Sequence, residues 1–229
     1  MKLTSIKLIT TLFFCIALCS GNLVTAQNFQ KQATDKTHQV SLGVGPSFIY
    51  ADNGGDYPSM TFPVRPNFSL AYTKSLVKWM GIRFSTGLQR VGSWDGFNPG
   101  TLENWASRNQ TASYKGSAMY FDIMPQFLLF PQDHITSRPK FNAYGGIGFG
   151  ALYINRNQNP DSENSNRVST VTSYLPIRAG VTYVIGDLFN IGLEATFFKT
   201  FADDLDGNIG HNNRNDHMGQ FNVVLHRYF

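Results

Sequence analysis

Cysteine is nearly absent: the chain has two, Cys15 and Cys19, and both fall in its first 26 residues. Those residues read as an export signal, with Lys2 and Lys7 ahead of an apolar stretch from Leu8 to Leu18 and a small-residue cleavage site at Val24-Thr25-Ala26. A lipoprotein signal at Cys19 is the rival reading, but Leu18 stands where that signal requires a small residue. A mature chain beginning at Gln27 holds no cysteine, which excludes disulfides and thiolate metal sites as its source of stability.

Long apolar runs are missing beyond the signal, and the mean hydropathy of -0.20 excludes a helical membrane protein. Charge is sparse as well, at 15% of residues. Removing Lys2 and Lys7 lowers the net charge from +4 to +2, so nucleic-acid binding gains no support.

What the chain does have is alternation. Segments rich in Val, Ile, Phe and Tyr alternate with Gly, Ser, Arg and Asn at period two, separated by clusters of Asn, Asp, Gly and Pro. Eight strands are expected: Gln39–Tyr50, Pro63–Thr73, Met80–Val91, Ser117–Phe130, Phe141–Ile154, Tyr174–Ile185, Asn190–Phe201 and Met218–Phe229. In the fifth, Gly146, Gly148 and Gly150 share one face, as fits a crowded interior. Pro46, Pro66, Pro125 and Pro176 fall inside strands, where each removes a ladder donor, and bulges or strand ends are expected there.

The connections alternate in length. Ala51 to Phe62, Gly92 to Gly116, Asn155 to Ser173 and Ala202 to His217 are long and polar; Lys74 to Trp79, Pro131 to Lys140 and Gly186 to Phe189 are short. Membrane barrels show this asymmetry, with long loops outside and both termini in the periplasm. The expected fold is all-β, an eight-stranded antiparallel up-and-down transmembrane barrel of the outer-membrane type. The domain plan is a signal at 1–26, a periplasmic segment at 27–38 and the barrel at 39–229.

A lipocalin-like barrel or a β-sandwich also alternates, but buries its apolar face. Here the minority face carries Arg65, Arg83, Asp122, Arg178, Glu194 and His226, which is too charged for a water-soluble core and ordinary for the inside of a small membrane barrel. Side chains fill an eight-stranded lumen, so these charges are expected to pair and leave no continuous pore. Two clusters are expected, Arg83 with Glu194 and His226 below, Arg65 with Asp122 and Arg178 above.

Candidate chemistry is thin. Glu194 with His226 is a conceivable catalytic pair, outweighed by mutual neutralisation inside the barrel. His211 in an outer loop has no neighbouring serine. Asp203, Asp204 and Asp206 before Gly207 resemble a calcium loop but lack the glutamate at its twelfth position, so a solvated acidic loop is preferred. Outward Arg90 and Lys199 near the outer rim suit lipopolysaccharide phosphates or simple anchoring. Trp94, Phe97 and Trp105 in one long loop suit a protein or glycan partner, or a cap over the barrel. No catalytic, cofactor-binding or metal residue is assigned, and no cofactor is expected.

The run Gly192 to Gly207, GLEATFFKTFADDLDG, resembles the end of a family of Bacteroidetes-type outer-membrane barrels that includes the PorG-like and PorT-like components of type IX secretion. Those proteins carry a similar Lys-Thr-Phe-Thr-Asp-Tyr-Leu-Asp-Asp run. Ala202, Asp204 and Gly207 depart from it, while Lys199, Phe201, Asp203 and Leu205 keep its spacing. Ser41-Leu42-Gly43-Val44-Gly45-Pro46 and the terminal strand are similar more weakly, and Arg227 stands where an aromatic or apolar residue is usual. The resemblance implies a structural or accessory envelope role, as in secretion, with outer-membrane lipid, lipopolysaccharide and other envelope proteins as partners and no catalytic residues. The alternative is a surface adhesion or ligand-binding barrel acting through its long loops.

Overall fold

The computed structural model describes residues 36–52, 62–93, 96, 100, 103–104, 107, 110–111, 113–132, 139–159, 165–208 and 215–229. The expected signal and most of the expected periplasmic segment lie outside these residues. So do Trp94, Phe97, Trp105 and His211.

The strands are β1 (His38–Tyr50), β2 (Arg65–Val77), β3 (Met80–Gly92), β4 (Tyr114–Leu128), β5 (Phe141–Ile147), β6 (Phe149–Gln158), β7 (Asn166–Val184), β8 (Phe189–Thr200) and β9 (His217–Tyr228). All pairings are antiparallel, and β1 pairs with β2 on one side and β9 on the other, which closes the sheet into a ring. β5 and β6 are two halves of one crossing: both pair with β4 and with β7, in a register that runs on across Gly148. The barrel therefore has eight crossings.

The break at Gly148 has a cause in two flanking prolines. Its amide donates to Pro176 O across β7, while Pro125 on β4 lies in the stretch where the ladder passes from β6 to β5. Neither proline has an N–H to give, so the ladder lapses on both sides of the same residue. The other two prolines face each other as partners on β1 and β2, and the β1–β9 ladder skips Gly45 and Pro46 before resuming in the same register. Pro66 thus sits at a strand end, as expected, while Pro46, Pro125 and Pro176 sit at ladder gaps inside strands, and the register irregularity lies elsewhere, between Ser75 and Val77 at the turn from β2 to β3.

One expected loop is a strand pair. Asn155 to Ser173 reads as a polar connection, but β6 runs on to Gln158 and β7 starts at Asn166, with Gln158 opposite Asn166. Polar residues on both faces hide period two, and a ribbon standing above the membrane has no reason to be apolar on either side.

The apolar faces point outward. Leu193 is 61% exposed, Val44 57% and Phe221 56%, and similar side chains ring every strand. Trp79 and Phe127 stack at the edge of the belt nearer the termini, with ring centres 6.0 Å apart, as expected for an interfacial girdle. Water would make such a belt prohibitive, whereas acyl chains cover it without penalty, and closure satisfies the backbone that lipid cannot.

Candidate functional site

The lumen is filled in two storeys. The lower is polar. Arg83 on β3 reaches Glu194 on β8, with Nη1 2.8 Å from Oε2, and donates to Gln126 Oε1 at 3.3 Å. Arg178 on β7 grips Asp122 on β4 with both Nη nitrogens at 3.2 Å, donates through Nη1 to Ser85 Oγ at 2.7 Å, and places Nε 3.5 Å from Glu194 Oε1. Tyr144 donates its hydroxyl proton to Glu194, and Tyr174 donates to Asp122 at 2.9 Å. Two guanidinium groups and two carboxylates, all buried, so form one charge-balanced network.

This corrects the expectation of two clusters. Arg178 bridges the levels, and Arg65 joins neither, lying beside Gly92 near the mouth. Nor do Glu194 and His226 pair: among the described residues no hydrogen bond joins them, and His226 Nδ1 accepts from the Gln39 amide and lies 2.8 Å from Ser41 Oγ. Glu194 spends its oxygens on Arg83, Arg178 and Tyr144, which is compensation of charge rather than activation of a base.

The upper storey is apolar, which the alternation does not foretell. Ile49, Val91, Ala118, Leu152, Ile154 and Met218 pack there around Phe198, whose ring lies 4.9 Å from that of Tyr120 and 5.1 Å from that of Tyr174. Leu205, from the segment after β8, is fully buried in this cluster.

That segment forms a plug. Leu205 N donates to Asp216 Oδ2 at 2.7 Å, Asn208 N donates to Asp206 Oδ1 at 2.9 Å, and Asn208 exchanges bonds with the Thr111 backbone at 2.7 and 3.0 Å. The turn uses Gly207 at φ 99°, a left-handed conformation that suits glycine. Burial, and then the neighbouring Asp206 carboxylate, push Asp216 up to about 9.

The acidic run is therefore not a solvated loop. Asp206 is fully buried and turned back on the Asn208 amide, while Asp204 Oδ2 accepts from Thr170 at 3.1 Å. No group of three or more His, Cys, Asp or Glu among the described residues gathers round one point.

At the rims, Lys199 and Arg90 both lie on the outer surface at the end opposite the termini. Arg90 shares a groove of about 420 Å³ with Lys115, Asn155, Asn157, Ser165 and Arg167, and Lys199 is not part of it. Lys115 and Arg167 were hidden inside segments that read as loops. At the rim that carries the C-terminus Arg227 lies over the Phe229 ring, 4.7 Å from its centre, and 6.0 Å from that of Phe189, which suits a cation on an aromatic girdle.

No protein-family model matches the chain, and no curated protein does. Among solved structures it is similar to a major outer membrane protein from Thermus thermophilus, at 9% identity and TM-score 0.51 over 84% of this chain and 99% of that one. It is also similar to Neisserial surface protein A, at 8% identity and TM-score 0.50 over 84% of this chain and 97% of that one. The shared feature is the fold, an eight-stranded barrel of the outer-membrane type.

Proposed function

We propose that this is a non-enzymatic barrel of the outer membrane with a structural or accessory role in the envelope, whose work is done by its surfaces. The observation that carries this reading is the filled lumen: among the described residues, an ion network below, an apolar packing above and a plug at the mouth occupy the interior of the barrel. Within that role, we favour a component of type IX secretion, on the strength of the run from Lys199 to Gly207. In the barrel the run spans the end of β8 and the plug, and its Leu205 is the residue that enters the apolar cluster at the mouth.

The test is a clean deletion of the gene in its host. Loss of export of cargo bearing type IX targeting domains supports the secretion role; normal export removes it. A second reading, a surface barrel that binds a ligand through its outer segments, draws on the β6–β7 ribbon, whose polar outer ends stand beyond the apolar belt. It expects ribbon-dependent binding to surfaces or glycans without an export defect.

A further inference from the structure

β7 overreaches its neighbour β8. Their pairing ends at Tyr174 opposite Thr200, and one further backbone bond, from Phe201 N to Ser173 O at 3.2 Å, finishes the ladder. From Thr172 back to Asn166 the strand is paired with β6 alone among the described residues, while β6 stays paired with β4 as far as Gln158 opposite Tyr114. The β6–β7 ribbon is therefore laddered to the barrel along one side.

On its other side the plug stands where a strand would be. Gly207 N donates to Asp204 O at 3.3 Å, closing a turn that sends Leu205 into the apolar cluster holding Leu152 and Ile154. The same Asp204 accepts through Oδ2 from the Thr170 hydroxyl at 3.1 Å, and that hydroxyl accepts from Arg156 Nη1 at 3.0 Å. A cation on β6 and a carboxylate on the plug are so joined through one hydroxyl on β7.

Arg156 is buried, and the carboxylates whose charges reach it are Asp204, Asp206 and Asp216. The first two belong to the plug and the third to its neck, where Asp216 N donates to Ala202 O at 2.9 Å. Ribbon and plug also touch at Gly207, where an added Cβ would run into the Gln158 amide.

A ladder and a latch open differently. Backbone pairs in a sheet are lost together with their neighbours, whereas a bond through a single hydroxyl breaks alone, so a segment held this way opens far below global unfolding. We propose that the outer part of β7, residues 166–172, is a flap hinged along β6 and latched to the plug through Arg156, Thr170 and Asp204. Flap and plug then open as one and uncover the apolar storey at the mouth. The linkage is reciprocal: whatever frees the flap loosens the plug, and the reverse.

The test is amide hydrogen exchange in phospholipid vesicles at constant pH, corrected for intrinsic rates and read at Leu205 for the plug and at Val168 and Thr172 for the flap. Thr170→Val removes the hydroxyl and keeps the shape, and is expected to increase opening at Leu205 about tenfold, since a hydrogen bond to a charged group is lost. Asp204→Ala is expected to increase opening at Val168 and Thr172 by a similar factor, and the double variant adds little to either change alone. Arg167→Gln, on the outer face of the ribbon, leaves Leu205 at the wild-type rate. A Thr170→Val protein that opens only in its own strand, an Asp204→Ala protein that opens only in the plug, or factors that multiply in the double variant overturn the latch. A rise that extends to Ala195, in the middle of β8, marks loosening of the whole barrel and overturns it as well.

Discussion

Arg83 and Glu194 meet across the lumen at 2.8 Å although β3 and β8 are not neighbours in the sheet, so their ion pair braces the barrel rather than a single ladder. Removing the Glu194 carboxylate leaves the Arg83 guanidinium buried against the neutral Ser85, Gln126 and Tyr144. Glu194→Leu is expected to destabilise the barrel by about 3–5 kcal/mol in urea unfolding from phospholipid vesicles. The double variant Arg83→Met, Glu194→Leu recovers a large part, because Arg178 and Asp122 remain balanced. A double variant as unstable as the single one contradicts this.

Gly148 has no room for a side chain. A Cβ there would lie 2.3 Å from Ile123 O and 2.4 Å from Met124 Cβ, and both belong to the sheet itself. Gly148→Val is expected to lower stability by about 1–3 kcal/mol in the same assay. Gly186→Ala, at the turn between β7 and β8 with nothing within 4 Å of the added carbon, is expected to change it little. Equal effects speak against the crowding.

The plug should loosen as pH rises. Asp216 is held up to about 9, well above its ordinary 3.8, mainly by burial. The folded mouth therefore binds a proton that the opened one releases, so plug stability is fully present below about 4 and is lost as pH climbs through about 9. Hydrogen exchange at the Leu205 amide, corrected for its intrinsic rate, should show opening that grows across this window. Asp216→Asn keeps an oxygen for the Leu205 amide and should flatten the dependence. Opening that falls with pH, or an unchanged slope in the variant, contradicts it.

Charge on the lipid face is expected to be costly. Leu193→Arg places a cation in the belt and should destabilise the protein by about 2–4 kcal/mol in vesicles. A water-soluble barrel would tolerate an arginine at so exposed a position. Urea midpoints in vesicles decide between them.

The crossings were legible because lipid outside and polar groups inside impose period two, and most ends fall within a few residues of those expected. Partnerships inside the lumen were not, because strand stagger decides the level at which each inward side chain sits: Arg178 therefore bridges to Glu194, and Arg65 ends at the mouth. The apolar upper storey was hidden for a different reason. Leu152 and Ile154 alternate with outward Tyr153, so apolar residues on both faces blur the pattern there. The cationic groove was missed because Lys115 and Arg167 lie above the belt, where a strand has no apolar side to announce it.

Sidedness is tested most directly by spin labels, since the chain is free of cysteine once Cys15 and Cys19 are replaced by serine. Labels at Leu193, Val44 and Phe221 in vesicles are expected to collide with oxygen dissolved in the bilayer and to be shielded from an aqueous nickel chelate. A label at Asn157, above the belt, should meet the nickel. Labels at Leu193, Val44 and Phe221 that meet nickel freely, or that neither reagent reaches, would contradict a barrel whose apolar side chains face lipid.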